Sequence, residues 1–274
     1  MKTIIIPADL TNFYYNSLNT ALLLENSRPV EFVISFSNDT DKEQVQTKFN
    51  EIKAKYEPGF RHPESKMRLI TDKSSSQPEC GDISPSSSDN LVFLSYFHDS
   101  AEETSDYSVE NTVKYIRGCR QNYLTIPQEY KIKKINRIIF PVHILSKVRH
   151  KVTFTSVIAK MFDAEVHVVT LQTTSQKDII KRLNLYTLQV INHFRNYGIT
   201  TQFDTLEGKK IPEMILEYTS SNNGDLVSII PEEIKGPRFF SKGFLYEMLE
   251  KANVPLVVVA PRKAKISGSF SASG

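Results

Sequence analysis

The sequence has few cysteines and no long hydrophobic run. Its two cysteines, Cys80 and Cys119, are too few for a disulfide framework or a closed zinc site. No stretch approaches the ~20 apolar residues of a membrane-spanning helix. The N-terminal run of three isoleucines is too short for the core of a signal peptide. We therefore expect a chain of the reducing cytoplasm, without a membrane partner.

What the sequence does contain is typical of a soluble globular protein. Hydrophobic residues make up 40% and charged residues 24% of the chain, which excludes bulk disorder. The length of 274 residues predicts two domains.

The net charge of +3 conceals an asymmetry between the two halves. Residues 1–130 hold 13 Lys and Arg against 19 Asp and Glu, whereas residues 131–274 hold 21 against 12. A basic half could attract nucleic acid or anionic nucleotides. Its positive charges are scattered and have no interleaved aromatic residues, so attraction between the two halves is favoured over nucleic-acid binding.

A repeat divides the chain. Residues 3–7 read TIIIP and residues 138–142 read IIFPV, with Pro7 and Pro141 separated by 134 positions. Short, β-branched apolar runs of this kind suit strands that are buried on both faces of a parallel sheet. The period is too long for a solenoid unit and predicts two copies of a whole domain.

Strands and helices alternate along the second copy. Strands are predicted at 138–141, 164–171, 199–206, 225–230 and 255–260, and helices at 152–162, 178–197, from 212 and at 244–252. Gly198 stands where a helix C-terminal glycine belongs. This order predicts a parallel sheet with helices on both faces.

The first copy follows the same order with one loss. Strands are predicted at 3–7, 30–36, 67–70, 91–97 and 123–126, and helices around 16–25, at 41–56 and at 109–118. Where the third helix is expected, residues 71–90 are rich in serine and proline and predict an irregular insertion. We place the boundary near residue 130, so that the domains are 1–130 and 131–263, followed by a flexible tail at 264–274.

The motifs of this repeat resemble a tandem universal stress protein. They are Pro7-Ala8-Asp9 after the first strand, PLVVVAP at 255–261 and, more broadly, the stretch 205–261. The resemblance implies two doubly wound, five-stranded α/β domains of the adenine nucleotide alpha hydrolase-like, Rossmann-like type. Such domains dimerise through the last strand, so a tandem chain is expected to form a pseudo-dimer internally. Many family members bind ATP or another adenine nucleotide, and others do not.

The family's ATP loop is degenerate in the second copy. Its pattern is Gly, two residues, Gly, nine residues, Gly, then Ser or Thr. Gly243 falls at the third glycine, but Phe244 replaces the hydroxyl residue, and Ile230 and Glu233 replace the other two glycines. Glycine loops hold phosphate through converging backbone N–H groups, so family-type ATP binding is not expected. Gly236 could substitute for a missing glycine only if the loop is shortened. A remodelled loop would use Lys235, Arg238, Lys242 and Gly243 toward an anion.

The first copy departs further, because no glycine occurs between residues 82 and 117. Asp9 matches the family's acidic residue, which lies at the adenosine side in nucleotide binders, whereas the second copy has His143 there. Asp9 is therefore a candidate adenosine contact, and the acid and the glycine loop do not survive together in either copy.

The remaining candidates for chemistry are weaker. The six histidines show no metal-site spacing. His167 lies inside a predicted strand and is interpreted as a packed histidine, whereas His143 and His150 follow the first strand of the second copy, near the crevice where doubly wound folds bind ligands. Cys119 is interpreted as a plain helix-end cysteine rather than a reactive thiol.

These sequence features are compatible with three functions. The first is a non-catalytic stress-response or regulatory protein, which acts by binding and assembly, has no cofactor and has an unidentified protein partner. The second is an ATP-binding member with a remodelled loop and slow hydrolysis. The third is an enzyme of the related adenine-nucleotide hydrolase fold, against which no nucleophile and base can be paired in the sequence. The scarcity of glycine favours the first function, and a homodimer is left open.

Overall fold

A computed structural model describes most of the chain. The described residues are 3–8, 14–25, 27–37, 41–72, 90–98, 107–118, 121–131, 133–143, 148–231 and 243–260. Residues 73–89 of the predicted insertion, all of the predicted tail and both cysteines lie outside these ranges, so the predictions made for them stay predictions. The described ends of the insertion, Thr71, Asp72 and Asn90, lie in strands and not in an irregular segment.

The first half contains five strands and three α-helices among the described residues. They are β1 (Thr3–Ala8), α1 (Tyr15–Glu25), β2 (Glu31–Ser37), α2 (Lys42–Tyr56), β3 (Lys66–Asp72), β4 (Asn90–Tyr96), α3 (Val109–Gly118) and β5 (Asn122–Pro127). A short 3-10 helix at Glu57–Gly59 follows α2. Each predicted strand and helix of this half is confirmed.

The second half contains five strands and four α-helices among the described residues. They are β6 (Arg137–Val142), α4 (Val148–Phe162), β7 (Glu165–Gln172), α5 (Lys177–Asn196), β8 (Thr201–Glu207), α6 (Ile211–Ser221), β9 (Leu226–Ile229), α7 (Phe244–Lys251) and β10 (Leu256–Val258). The prediction for Gly198 is also confirmed, because it follows α5 with a φ of 65° and its N–H donates to the Arg195 carbonyl.

The ten strands form one sheet in the order β3-β2-β1-β4-β5-β10-β9-β6-β7-β8. Each half by itself therefore has its strands in the order 3-2-1-4-5, and the paired strands within a half are parallel. The mostly parallel α/β architecture confirms the predicted fold class. The boundary placed near residue 130 falls in the connection between β5 and β6.

The two halves meet at an antiparallel pair of strands, β5 and β10. Leu256 lies opposite Thr125, and Val258 lies opposite Tyr123. The amide of Ala260 extends this seam by donating to Asn122 Oδ1 at 3.1 Å. Strand 255–260 thus pairs with strand 123–126 as predicted. The two five-stranded sheets expected from the sequence join into a single sheet, because each edge satisfies the other's backbone groups.

Helices cover both faces of the sheet and form two hydrophobic layers. One layer is built on α1, α2, α4 and α5, and the other on α3, α6 and α7. Across the seam, α1 contacts α4 and α3 contacts α7. The internal pairing therefore involves a strand pair in the sheet and a helix pair on each face.

A buried pair of hydroxyl groups connects a helix to the sheet in each half. Ser17 on α1 lies 2.7 Å from Ser95 on β4, oxygen to oxygen. Thr155 on α4 lies 2.7 Å from Ser228 on β9. In each half the helix after the first strand is thus linked to the fourth strand.

Candidate functional site

The candidate site lies at the carboxyl ends of the strands in the second half. Doubly wound sheets bind ligands where neighbouring strands are reached by connections that run in opposite directions. In this half β6 lies between β9 and β7, so that point falls at the end of β6. The residues that follow β6 and β7, together with the start of α7, are therefore the candidates for binding.

His143 stands immediately after β6 and is buried. Its Nε2 lies 3.0 Å from Thr173 Oγ1, just beyond the end of β7. Burial lowers the pKa of His143 below its ordinary value, which favours the uncharged imidazole. The sequence prediction that His143 lies at this edge is confirmed. His150 lies on α4, but its side chain is outside the described part of the structure.

Lys151 is the residue of this site that sequence reasoning missed. It is fully buried on α4, with Nζ donating to the Pro141 carbonyl at 2.6 Å. The same atom lies 4.4 Å from the centre of the Phe140 ring, a cation–π distance. The sequence contained a signal for this burial. Lys151, Thr155 and Ile158 occupy positions i, i+4 and i+7 of α4, which lie on the same buried face of the helix.

Gly243 is the N-cap of α7 and adopts φ 85° and ψ 156°. This conformation is essentially restricted to glycine. A Cβ at Gly243 would lie 3.0 Å from a guanidinium nitrogen of Arg117, which belongs to α3 in the other half. Phe244 is buried in the core, so the first residue of α7 offers no hydroxyl toward the edge.

The other predicted binding residues, Asp9, Lys235, Arg238 and Lys242, lie outside the described residues. The carboxylate at Glu233 does so as well. Within the described ranges the structure therefore places only Gly243 of the predicted set, with Arg117 beside it. His143, Thr173 and Lys151 are further candidates at the end of β6.

His167 has the structural role that the sequence predicts. It is buried in β7, with Nε2 3.3 Å from Glu165 Oε1 and Nδ1 3.4 Å from the Tyr218 hydroxyl. Tyr218 donates to Asp204 at 2.5 Å, and Arg137 pairs with Glu165 at 2.6 Å. Burial and the charge of Arg137 lower the pKa of His167, although the two carboxylates act in the opposite direction.

No group of three or more His, Cys, Asp or Glu side chains in the described residues is arranged to hold a metal ion. None of the described helices combines the length and hydrophobicity that a membrane span needs.

Solved structures with the same architecture include universal stress proteins. One from Archaeoglobus fulgidus aligns with a TM-score of 0.64 and 12% identity, over 94% of this chain and 96% of its own. A functionally unknown protein from Pseudomonas aeruginosa aligns with a TM-score of 0.65 and 14% identity, over 95% and 93%. The cytoplasmic domain of a prokaryotic cation chloride cotransporter aligns with a TM-score of 0.58 and 12% identity, over 94% and 95%.

These alignments extend over almost the whole of this chain and of each matched chain. The protein therefore has the universal stress protein fold in its tandem, two-domain form. Models of known protein families give no match to the chain, and curated protein sequences give none either.

Proposed function

We propose that this chain is a non-catalytic stress-response or regulatory protein of the universal stress class. It acts through binding and assembly and does not bind ATP in the family's usual geometry. Its place of action is the cytoplasm, and its partner is another protein.

The start of α7 is the observation that carries this proposal. A phosphate cradle needs several backbone N–H groups that converge on one point, and glycines allow that approach. Here a single glycine, Gly243, precedes the buried Phe244, and no side chain caps the helix. The missing hydroxyl and the two missing glycines remove the features by which the family holds phosphates.

The end of β6 supports the same proposal. At the position of the family's acidic residue the chain has an imidazole, His143, which contacts Thr173 and whose burial favours the uncharged form. Lys151 is buried beneath this edge against Phe140 and the Pro141 carbonyl. Neither group presents a carboxylate to a nucleoside.

One observation favours the alternative function, ATP binding through a remodelled loop. The Arg117 guanidinium lies at the N-terminus of α7, where the helix dipole also favours negative charge. An anion there would be contacted by both halves of the molecule. A remodelled loop that contains Lys235, Arg238 and Lys242 would add further positive charge.

Calorimetry of the full chain with Mg-ATP separates these two functions. We expect no saturable heat at millimolar nucleotide. A dissociation constant in the low micromolar range, weakened by Arg117→Gln but not by Lys114→Gln on the same helix, would establish the alternative. Lys114 is a matched control because it is exposed and pairs with Glu110.

Phosphate release tests the absence of catalysis separately. A hydroxyl beside an imidazole, as in Thr173 and His143, is an arrangement from which nucleophilic enzymes work. We expect the wild-type protein to release phosphate from Mg-ATP no faster than the Thr173→Val variant does. A faster wild-type rate would make the protein an enzyme.

A further inference from the structure

The outward face of α5 carries apolar side chains that the described structure leaves uncovered. Leu185 and Leu188 are each 54% exposed. Tyr197, just after the helix, is 51% exposed, and Phe203 on the edge strand β8 is 61% exposed. Within the described ranges, large exposed hydrophobic side chains occur only in this segment of the chain. Their confinement to one segment is typical of an interaction surface rather than of scattered surface residues.

The two leucines belong to a regular stripe along α5. Six exposed residues follow one another at alternating intervals of three and four positions, namely Asp178, Lys181, Leu185, Leu188, Asn192 and Arg195. Such steps keep side chains on one side of a helix, and their regular alternation is the spacing by which two helices pair side by side. The buried stripe with Leu183, Val190 and Phe194 faces the sheet, so the exposed stripe faces away from it.

A shallow depression of about 410 Å³ lies on the same stripe. It is lined by Lys177, Ile180, Lys181, Asn184, Leu185 and Leu188. The last four of these residues occupy positions i, i+3, i+4 and i+7 of α5. Four residues at this spacing form the hole that receives one side chain of a paired helix. The depression therefore has the lining expected for a side chain supplied by a second helix.

The stripe is complementary to itself when two copies of α5 run antiparallel. The helix spans Lys177–Asn196, and the two leucines lie symmetrically about its midpoint. A two-fold axis at that point places Leu185 opposite Leu188 of the partner subunit, next to the depression. The same axis places Asp178 opposite Arg195 of the partner subunit. Each contact then occurs twice, as in every interface of this symmetry.

Charge favours the antiparallel arrangement over a parallel one. A parallel pair would place Asp178 against its own copy and Lys181 against its own copy, and like charges repel. In the antiparallel pair Lys181 instead meets Asn192 of the partner subunit, whose amide oxygen accepts hydrogen bonds. Arg195 uses Nε toward Thr201 Oγ1 at 3.2 Å, so its two terminal nitrogens remain as donors to the carboxylate of Asp178.

We propose that two copies of this protein associate through α5, with the two helices antiparallel across a two-fold axis. The leucines of both copies form the centre of the interface, and a pair of Asp178 with Arg195 closes each end. Interfaces that bury less than about 1,200 Å² are typical of weak complexes. Because this one is built mainly on a single pair of helices, association should depend on protein concentration.

This surface is distinct from the seam within each chain and from the protein partner proposed above. The seam is formed by β5 and β10, with helix contacts of α1 with α4 and of α3 with α7. A change on the outward face of α5 should therefore separate two copies without separating the two halves of one copy.

The first half does not repeat the stripe. In that half α2 holds the place of α5, since it connects the second strand to the third. Its described exposed residues include no large hydrophobic side chain. Association through two helices of this kind is therefore a property of the second half, and α2 provides a matched control position.

Sedimentation velocity of the full chain tests the proposal at concentrations from about 5 to about 500 µM. We expect the wild type to move from monomer to dimer across this range. Leu188→Asp should weaken association at least about tenfold, because symmetry buries two carboxylates in the apolar centre. Ala54→Asp is the matched control, since it adds the same charge at an exposed position of α2, and association should be unchanged.

Exchanged charges test the antiparallel alignment. Asp178→Arg and Arg195→Asp should each weaken association, because each change creates two contacts between like charges in the dimer. An equimolar mixture of the two variants should regain the wild-type affinity, since opposite charges then meet at both ends. All the changed side chains are exposed, so thermal unfolding of each variant should give nearly the wild-type midpoint.

Two results would overturn the proposal. One is a wild type that stays monomeric at every concentration, which would assign the stripe to a different protein. The other is association that Leu188→Asp leaves unchanged. A mixture of the charge variants that associates no better than either variant alone would overturn the antiparallel alignment. The Mg-ATP titration does not depend on any of these outcomes, so the two proposals fail separately.

Discussion

Gly243 shows how one residue can be required by the backbone rather than by a ligand. Its φ of 85° and ψ of 156° fall in a region that other residues avoid. The neighbouring Arg117 guanidinium leaves little room for a Cβ. A glycine that matches a phosphate-binding motif can therefore be retained for a structural reason, at a helix start packed against the other half.

We expect Gly243→Ala to destabilise the protein by about 1–3 kcal/mol because of backbone strain. Gly118→Ala is the matched control, since a Cβ there would meet nothing within 4 Å. Urea unfolding of the full chain measures both variants. Equal stabilities of Gly243→Ala and Gly118→Ala would contradict the strain assigned to Gly243.

The hydroxyl pairs give a second test at the scale of single residues. Ser17→Ala leaves the Ser95 hydroxyl buried without its 2.7 Å partner, which should cost about 1–3 kcal/mol. Removing both hydroxyls should cost less than the sum of the single changes, because no orphaned group remains. Urea unfolding of the two single variants and the double variant measures this coupling, and strict additivity would show that the pair does not interact.

The buried histidines predict how stability depends on pH. The pKa values of His143 and His167 are lowered in the folded state, so the unfolded chain takes up protons more readily. Stability from this source is complete above the ordinary pKa of 6.5 and declines as the pH falls below it. We expect the free energy of unfolding, measured from about pH 7.5 to about pH 5, to fall less steeply in His143→Gln, which keeps a polar partner for Thr173. An unchanged slope would contradict the effect of His143.

At the scale of elements, the alternation of strands and helices could be predicted because each segment carries its own pattern. On α5, for example, Leu183, Val190 and Phe194 recur at helical spacing, and all three are buried. The sequence could predict only that strands 123–126 and 255–260 lie near each other. Their pairing into one continuous sheet, with Leu256 opposite Thr125, depends on contacts that involve both halves. The contact of His143 with Thr173 could not be predicted, since the two residues meet only through the pairing of β6 with β7.

Limited proteolysis tests the insertion predicted at 71–90. Serine, proline and charged residues leave little apolar surface to offset the entropy of ordering a chain. We expect the first cut by trypsin at Lys73, before any cut in α5 at Lys181 or Arg182, and the first cut by a glutamate-specific protease at Glu79, before any cut in α2 at Glu51. Early cleavage within α5, with this segment intact, would contradict the prediction.

At the scale of the whole molecule, the seam between the halves buries the edge strand of each half. All six residues of β5 are buried, and so are the three residues of β10. Either half alone would expose an apolar edge strand, which readily pairs with another chain. The helix pairs α1 with α4 and α3 with α7 would also lose their partners.

Co-expression of residues 1–131 and 132–274 as separate chains tests this seam. We expect the fragments to associate in equal amounts and to elute at the size of the full chain, because β5 and β10 re-form the antiparallel pair. Leu256→Asp should abolish association, since it places a charge at a fully buried position of the seam. Leu185→Asp, an exposed position on α5, should leave it intact. Fragments that stay apart would show that the halves are held together only by their covalent connection, and association that survives Leu256→Asp would show that the β5–β10 pair is not what holds them.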